Sequence, residues 1–332
     1  SPSTQHQCMS MTTTGKDQMI NKHFSSSNLE SPANSDWLAK ARLGVVGGSG
    51  LYSIDALENS KELNIETPYG KPSDTLRLGN LGGMEVVFLA RHGRHHTFPP
   101  TEIPYRANIW ALRSLGVRWI LSPSAVGSLQ EQIRPLDMVI PDQFIDRTHQ
   151  RPITFFCDGV VAHVTMADPF CPTLSRLLAE EGEKLMTEGR QIHRGGTYLA
   201  MEGPAFSTRA ESKLYRSWGC SVIGMTNHTE ARLAREAEIA YASLSMATDY
   251  DCWHQNHEKV TVEMVIQNLK ANAILGTKIV EATAKRISSI RPESSAHHAL
   301  RDGLMTHKDK VSKQTRRKID IFTKQYWGPI KD

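Results

Sequence analysis

The sequence predicts one α/β domain with a central mixed β-sheet flanked by helices. Two observations carry that class. Apolar β-type runs alternate with helical periodicity from residue 41 to about 290, with no break in composition and no internal repeat. The first of these runs, residues 43–46, empties into a Gly-Gly-Ser-Gly loop at 47–50, as a buried strand does when it enters a tight turn. A chain of 332 residues with 39% apolar content can bury one large core or two modest ones.

The elements follow in order. "TLRLGNLGGMEVVFLA" predicts two strands joined by a glycine hairpin, and "IPYRANIWALRSLG" a helix capped by Gly116. "VRWILSPSAVGS" and "LDMVIPDQFI" predict strands. "CPTLSRLLAEEGEKLMTEG" opens on a first-turn proline, carries Leu174, Leu177, Leu178 and Leu185 on one face, and closes at Gly189. Strand "GGTYLAME", helix "TRAESKLYRSWG", strand "SVIGMT", helix "EARLAREAEIAYA" and strand "LSMATDYD" come next. A long helix ends the series, with Val262, Val265, Ile266 and Leu269 at helical spacing.

In such sheets ligands sit beyond the carboxyl ends of the strands, so the residues after each strand carry the functional reading. The 47–50 loop lacks the third glycine of a dinucleotide fingerprint and the lysine of a triphosphate loop. After strand 85–89 come Arg91, His92, Arg94, His95 and His96; after 117–121 come small hydroxyl residues and glycine; after 221–223 comes "GMTNHTE". Four strand ends thus bring hydroxyls, backbone amides, one fixed guanidinium and histidines, a set suited to one phosphate dianion. No lysine of the triphosphate type and no acidic metal cluster accompanies them, against magnesium-dependent phosphoryl transfer. At the last strand end, Asp249 and Asp251 share a face by period two. Salt bridges or a helix cap are the plain account of one such acid. For the pair, recognition of an aminopurine is favoured: a carboxylate accepts from an exocyclic amine, and a protonated partner donates to a ring nitrogen.

Charge limits the partners. Residues 297–332 hold nine Lys/Arg against four Asp/Glu, which leaves the body of the chain close to neutral. The basic run "KDKVSKQTRRK" is expected to be a solvated tail. It lacks the interleaved aromatics of a stacking surface, so no nucleic-acid partner is predicted. No run has the apolar length of a membrane span. Cys8, Cys157, Cys171, Cys220 and Cys252 are odd in number and form no CxxC pair, which argues against a disulfide framework and a zinc site and predicts a reducing, cytoplasmic location. The first 36 residues hold twelve Ser/Thr and few large apolar side chains. Three regions are therefore expected: a disordered extension over 1–40, a catalytic domain over 41–290, and a basic extension over 291–332. Poverty in arginine weakens an organelle leader at the N-terminus without closing that reading.

Taken together, "GGSG", "TPYGKPSD", "ARHGRHHT", "YRANIWAL", "SAVGSL", "DQFIDRT", "MADPFC", "EGPAFSTRAES", "GMTNHTEARLAREAEIAYA" and "MATDYDCW" resemble the purine nucleoside phosphorylase superfamily, and within it the 5′-methylthioadenosine phosphorylase branch. The resemblance covers residues 42 to 285 or so and implies a nucleoside phosphorylase-like fold. It implies a pentosyltransferase that splits 5′-methylthioadenosine with inorganic phosphate, without a metal or organic cofactor, in purine and methionine salvage. By position it assigns phosphate contacts to Ser49, Arg91, His92, Ser124, the Ala125 backbone and Thr226. It places Met225 under the ribose, Phe206 and Ser207 near the base, and Val262, Val265 and Ile266 around the 5′-methylthio group. Asp249 and Asp251 face N7 and N6 of adenine. A homotrimer with sites shared between subunits is implied, His163 being the residue lent to a neighbour; from the residues alone His163 is an ordinary strand histidine and the Val262 stripe an ordinary core stripe. Pro123 and Thr229 depart from the superfamily's usual β-branched residue and proline.

The chemistry so implied places phosphate below C1′ of an oxocarbenium-like transition state, with Asp249, kept protonated by apolar surroundings, donating to N7 as the base leaves. Three competing readings stand beside it. A phosphorylase for adenosine or 6-oxopurine nucleosides would carry asparagine at 249 in its 6-oxopurine form. A non-catalytic nucleoside-binding protein would have no need of the phosphate set. An NAD-dependent oxidoreductase conflicts with the missing glycine.

Overall fold

The computed structural model describes residues 36–255 and 261–331. Two units divide the chain, residues 1–39 and Lys40–Asp332. Of the expected N-terminal extension only the short helix α1, Asp36–Lys40, falls among the described residues; the rest of that expectation lies outside them.

The large unit is a mixed sheet of eleven strands. They are β1 (Arg42–Gly47), β2 (Glu58–Leu63), β3 (Leu76–Leu81), β4 (Met84–Ala90), β5 (Val117–Ser128), β6 (Met138–Ile140), β7 (Gln143–Arg147), β8 (Ile192–Arg194), β9 (Thr197–Met201), β10 (Val222–Gly224) and β11 (Ala240–Tyr250). The helices are α2 (Tyr105–Ser114), α3 (Pro172–Leu185), α4 (Arg209–Ser217), α5 (Asn227–Glu236), α6 (Val262–Ile290) and α7 (Lys313–Trp327). β5 and β11 form the spine, parallel and in register from Trp119 opposite Ala240 to Ser128 opposite Tyr250. Every residue of β11 from 240 to 248 is buried, the pattern of a strand covered on both faces. α2 and α5 pack together against β5 and β11, and α3 and α6 form a second pair against β11.

The long β5 carries two partners in succession on its other edge. β1 runs parallel to it as far as Leu121, and β10 runs antiparallel to it from Gly127. Between them residues 122–126 face a split in the sheet. Pro123, which has no N–H to give a neighbouring strand, lies inside that split.

Three expectations change. "EARLAREAEIAYA" is helical only as far as Glu236; Glu238 turns left-handed at φ 57°, and the remainder begins β11. Its alanines fit a helix face and a two-sided buried strand equally well, so periodicity misses the switch. "LDMVIPDQFI" divides at Pro141 into β6 and β7, and β2 and β8 went unread because their side chains are mostly exposed or half-exposed. The third change concerns the basic extension, which is neither a separate region nor a solvated tail. Leu300, Val311, Ile319 and Phe322 enter the core cluster that holds Ile109 and Leu233. Tyr326 Oη and Gln325 Nε2 donate to the buried Glu238 carboxylate, which also accepts from Leu300 N–H at 3.1 Å. The charges of 313–318 open an amphipathic helix, α7, whose buried residues Thr315, Ile319, Phe322 and Thr323 fall at i, i+4, i+7 and i+8.

Candidate active site

The ends of β1, β4, β9, β10 and β11 each supply a group, and β5 supplies residues 122–126 along the split. β1 ends in the glycine loop, which Gly48 N–H ties to the Pro123 carbonyl at 3.3 Å. Gly50, at φ 83°, lies against Leu269 of α6, so a side chain there would meet both a strained backbone and that helix. Arg91 follows β4, its N–H bonded to the Gly47 carbonyl at 2.9 Å. Its Nη1 occupies the space beside Gly48, where a Cβ would come within 2.5 Å of it. Loop and guanidinium therefore require each other's geometry.

Arg91 is only 1% exposed and is not a lone cation. Glu230, 2% exposed on the first turn of α5, takes its Nε and Nη2 in a bidentate pair, Nη2 at 2.9 Å. Ser122 accepts from Nη2, and the hydroxyls of Ser122 and Tyr241 donate to Glu230 Oε1 at 3.1 and 2.8 Å. Burial alone would lower the Arg91 pKa, but the adjoining carboxylate outweighs it and holds the guanidinium charged, above its ordinary range. The sequence reading passed over Glu230. Its one signal, an acid in a helix's first turn, is equally the mark of a dipole-favoured surface residue.

His92 is buried, and its Nδ1 lies 2.8 Å from the Phe98 carbonyl. Burial first, and Arg91 second, push its pKa down to about 4. A carbonyl only accepts, so the neutral ring carries its proton on Nδ1 and presents Nε2 as an acceptor. His96 stacks on it at 4.1 Å. Within the split, the Ser124 hydroxyl is buried with no hydrogen-bond partner among the described residues. A buried hydroxyl without a bond is costly. Ala125 lies beside it, opposite Met246 of β11. Half-buried Ser49 adds a hydroxyl with no protein partner among the described residues.

Beyond β10, Met225 reaches the space over Gly203, and Thr226 is the N-cap of α5. The amides of Thr226 and Asn227 donate to Tyr198 Oη at 3.2 and 3.4 Å. At the end of β11 the register with β5 shifts between Ala247 and Asp249, ahead of both acids. Thr248 Oγ1 donates to Asp249 Oδ1 at 2.6 Å, and Asp249 is half-buried opposite Gly127. Asp251 is buried and accepts from Ser212 of α4. Cys252 Sγ contacts the Ser207 carbonyl at 3.5 Å, which joins the 202–208 loop to this strand end.

α6 is fastened over the same end of β11: Asn268 and Asn272 donate to the Thr248 and Ala247 carbonyls at 2.9 and 2.8 Å. Its first turn is no core stripe. Val262 and Ile266 are 76% and 45% exposed, and Val265 is half-buried. Phe206 is 83% exposed. His163 is also exposed; its N–H bonds to the Gly303 carbonyl at 2.8 Å, and no hydrogen bond joins it to the other site residues. Among the described residues no group of three or more His, Cys, Asp and Glu side chains is arranged to hold a metal, and no helix is long and apolar enough to cross a membrane.

The sequence model of the phosphorylase superfamily matches residues 42–285. An S-methyl-5′-thioadenosine phosphorylase of Prochlorococcus marinus is 79% identical over 310 residues, 93% of this chain and 99% of its own length. That of Thermosynechococcus vestitus is 55% identical over 286 residues, 86% of this chain and 99% of its own. Among solved structures, a methylthioadenosine phosphorylase from an antarctic soil metagenomic library aligns with a TM-score of 0.82 at 51% identity, covering 85% of this chain and 98% of that one. The Schistosoma mansoni enzyme in complex with adenine aligns with a TM-score of 0.71 at 36% identity, covering 75% and 92%.

Proposed function

The chain belongs to the phosphorylase superfamily, and from that premise we propose that it splits 5′-methylthioadenosine with inorganic phosphate into adenine and 5-methylthioribose 1-phosphate. It is a nucleoside phosphorylase, hence a pentosyltransferase, and its nucleoside substrate carries the methylthio group named for its relatives. The observation that carries the site reading is the buried, unpartnered Ser124 hydroxyl in the sheet split, beside Arg91 and the glycine loop.

In this reading phosphate lies in the split. Ser49, Ser124, Thr226, the Ala125 backbone and Arg91 Nη1 donate to it, and His92 Nε2 accepts from its P–OH. A phosphate oxygen attacks C1′ as the C1′–N9 bond breaks, and the bond's electrons leave with adenine. The proton that adenine gains at N7 comes from Asp249, while ionised Asp251 accepts from the 6-amino group. Met225 lies under the ribose, Phe206 and Ser207 border the base, and Val262, Val265 and Ile266 meet the methylthio group. Phosphate is the co-substrate, and the reaction as written draws on no cofactor.

The exposure of Phe206, Val262, Ile266 and His163 supports a homotrimer in which a neighbouring subunit closes the site. The four cysteines among the described residues are free thiols, which supports a reducing, cytoplasmic setting for purine and methionine salvage. The test is adenine or hypoxanthine release from methylthioadenosine, adenosine and inosine, each with and without phosphate. Phosphate-dependent release that is fastest with methylthioadenosine is expected. Release independent of phosphate, or a preference for inosine, overturns the reading.

A further inference from the structure

The basic run 308–318 plays no part in the phosphate site, yet it is folded around a cavity of its own. Lys308, Asp309, Val311, Lys313, Arg316, Trp327, Gly328, Pro329, Ile330 and Lys331 line a space of about 630 Å³, within the size range of small-molecule sites. Its chemistry is divided. Val311, Trp327, Pro329 and Ile330 supply apolar surface, while four cations face one acid. Among the described residues no carboxylate pairs with Lys308, Lys313, Arg316 or Lys331, whereas the one acid, Asp309, has a partner in His307 at 3.4 Å. Lys308 Nζ and Arg316 Nη2 reach only the carbonyls of Trp327 and Gly328, at 3.3 and 3.4 Å, and the Arg316 guanidinium stands 5.7 Å from the Trp327 ring centre.

A second, independent feature concerns α7. Its first turn contains no acid, and Lys313, Arg316, Arg317 and Lys318 crowd the end where the helix dipole is already positive. The first amides of a helix have no intrahelical acceptor, and here only Thr315 N–H is capped, by Ser312 Oγ at 3.1 Å. Lys318 is paired with Asp158 at 3.1 Å, but Lys313 and Arg316 have no carboxylate partner among the described residues and leave a positive potential at this helix end. A bound anion would relieve it.

We propose that this cavity binds an organic polyphosphate, two or more phosphates on a planar base, as in a nucleotide. The phosphates lie against Lys313, Arg316, Lys308 and Lys331 at the start of α7, and the base against Trp327 and Ile330. Four cations against one acid exceed what a single phosphate neutralises, and the apolar half has no use for an inorganic ion. The site is distinct from the catalytic one and does not depend on that reading.

The test titrates the full-length protein calorimetrically with UTP, whose pyrimidine does not mimic the purine substrate, and with inorganic tripolyphosphate. Saturating adenine and phosphate are present throughout to block the catalytic site. Saturable UTP binding is expected, with tripolyphosphate weaker by at least five-fold. The double variant K313Q/K331Q, in exposed side chains, should weaken UTP at least ten-fold and leave methylthioadenosine phosphorolysis unchanged. The proposal fails if UTP gives no saturable heat, if the double variant binds it as well as the parent, or if tripolyphosphate binds as tightly as UTP.

Discussion

Arg91 and Glu230 form a bidentate ion pair inside the protein, with the Nη2–Oε1 arm at 2.9 Å and neither side chain more than 2% exposed. The positive charge nearest the glycine loop is thus already matched before any anion arrives. Phosphate meets a formally neutral pair and binds through hydrogen bonds from Nη1, hydroxyls and amides rather than through an unopposed cation.

Removing one member of such a pair strands the other. Arg91→Ala is expected to raise the KM for phosphate far more than that for nucleoside, by about 2–5 kcal/mol in binding. It should also destabilise the fold by about 3–5 kcal/mol through the uncompensated Glu230. Glu230→Gln should lower the melting temperature too, with a smaller effect on phosphate. Steady-state kinetics in both substrates and a denaturant titration separate the two effects. Equal KM changes for both substrates from Arg91→Ala would remove it from the phosphate set.

Ser124 offers the opposite signature. Its hydroxyl has no bond to lose, so Ser124→Ala should leave stability unchanged or slightly improved. Its loss as a donor to a charged ligand is worth about 1.5–3 kcal/mol, roughly ten-fold or more in phosphate KM. A variant that melts lower while keeping its KM would show that the hydroxyl is structural.

Stability should fall on acidification from pH 7 to pH 5. Burial holds His92 down to about 4 and His228 and His297 down to about 3, against an ordinary value near 6.5. Below that value the unfolded chain binds three protons that the folded chain refuses, which favours unfolding. Glu236, pushed up to about 7 by burial, acts in the opposite sense and offsets one of the three. The net direction is a loss of stability, read as a falling melting temperature across that window; a flat profile would contradict the burial of these rings.

Base choice rests on the end of β11. Asp249→Asn should lower phosphorolysis of methylthioadenosine and raise relative activity on inosine or methylthioinosine, because an amide satisfies a 6-oxo group that a carboxylate opposes. Binding should survive better than turnover, the contact strengthening as the base leaves. Unchanged specificity and rate would make Asp249 a structural acid.

The C-terminal segment should behave as core. Phe322 is fully buried and tilted against Phe155 at 4.7 Å between ring centres. Phe322→Ala should cost about 3–5 kcal/mol, measured by chemical denaturation. A loss below 1 kcal/mol would mean that α7 is dispensable.

The sequence alone determined the strand–helix alternation, the mixed sheet and the glycine loop, because burial on two faces and turn chemistry leave local marks that a run of 5–15 residues can carry. It also brought forward Arg91 and Asp249, since where their strands end can be read within the segment itself; Ser124, expected beyond a strand ending at 121, lies inside β5, which runs on to Ser128. What surrounds them was decided in three dimensions. The Arg91–Glu230 pair spans residues far apart in the chain, and nothing local distinguishes Glu230 from an ordinary helix-start acid. The different surroundings of the two acids, Asp249 bonded by Thr248 and Asp251 by Ser212 of α4, depend on where α4 docks against the end of β11. The 308–318 run shows the same limit: its charges are visible in order, but whether they lie on a free tail or lead into a docked helix depends on the core that Ile319 and Phe322 enter. Long-range packing sets that outcome, and no local periodicity encodes the partner.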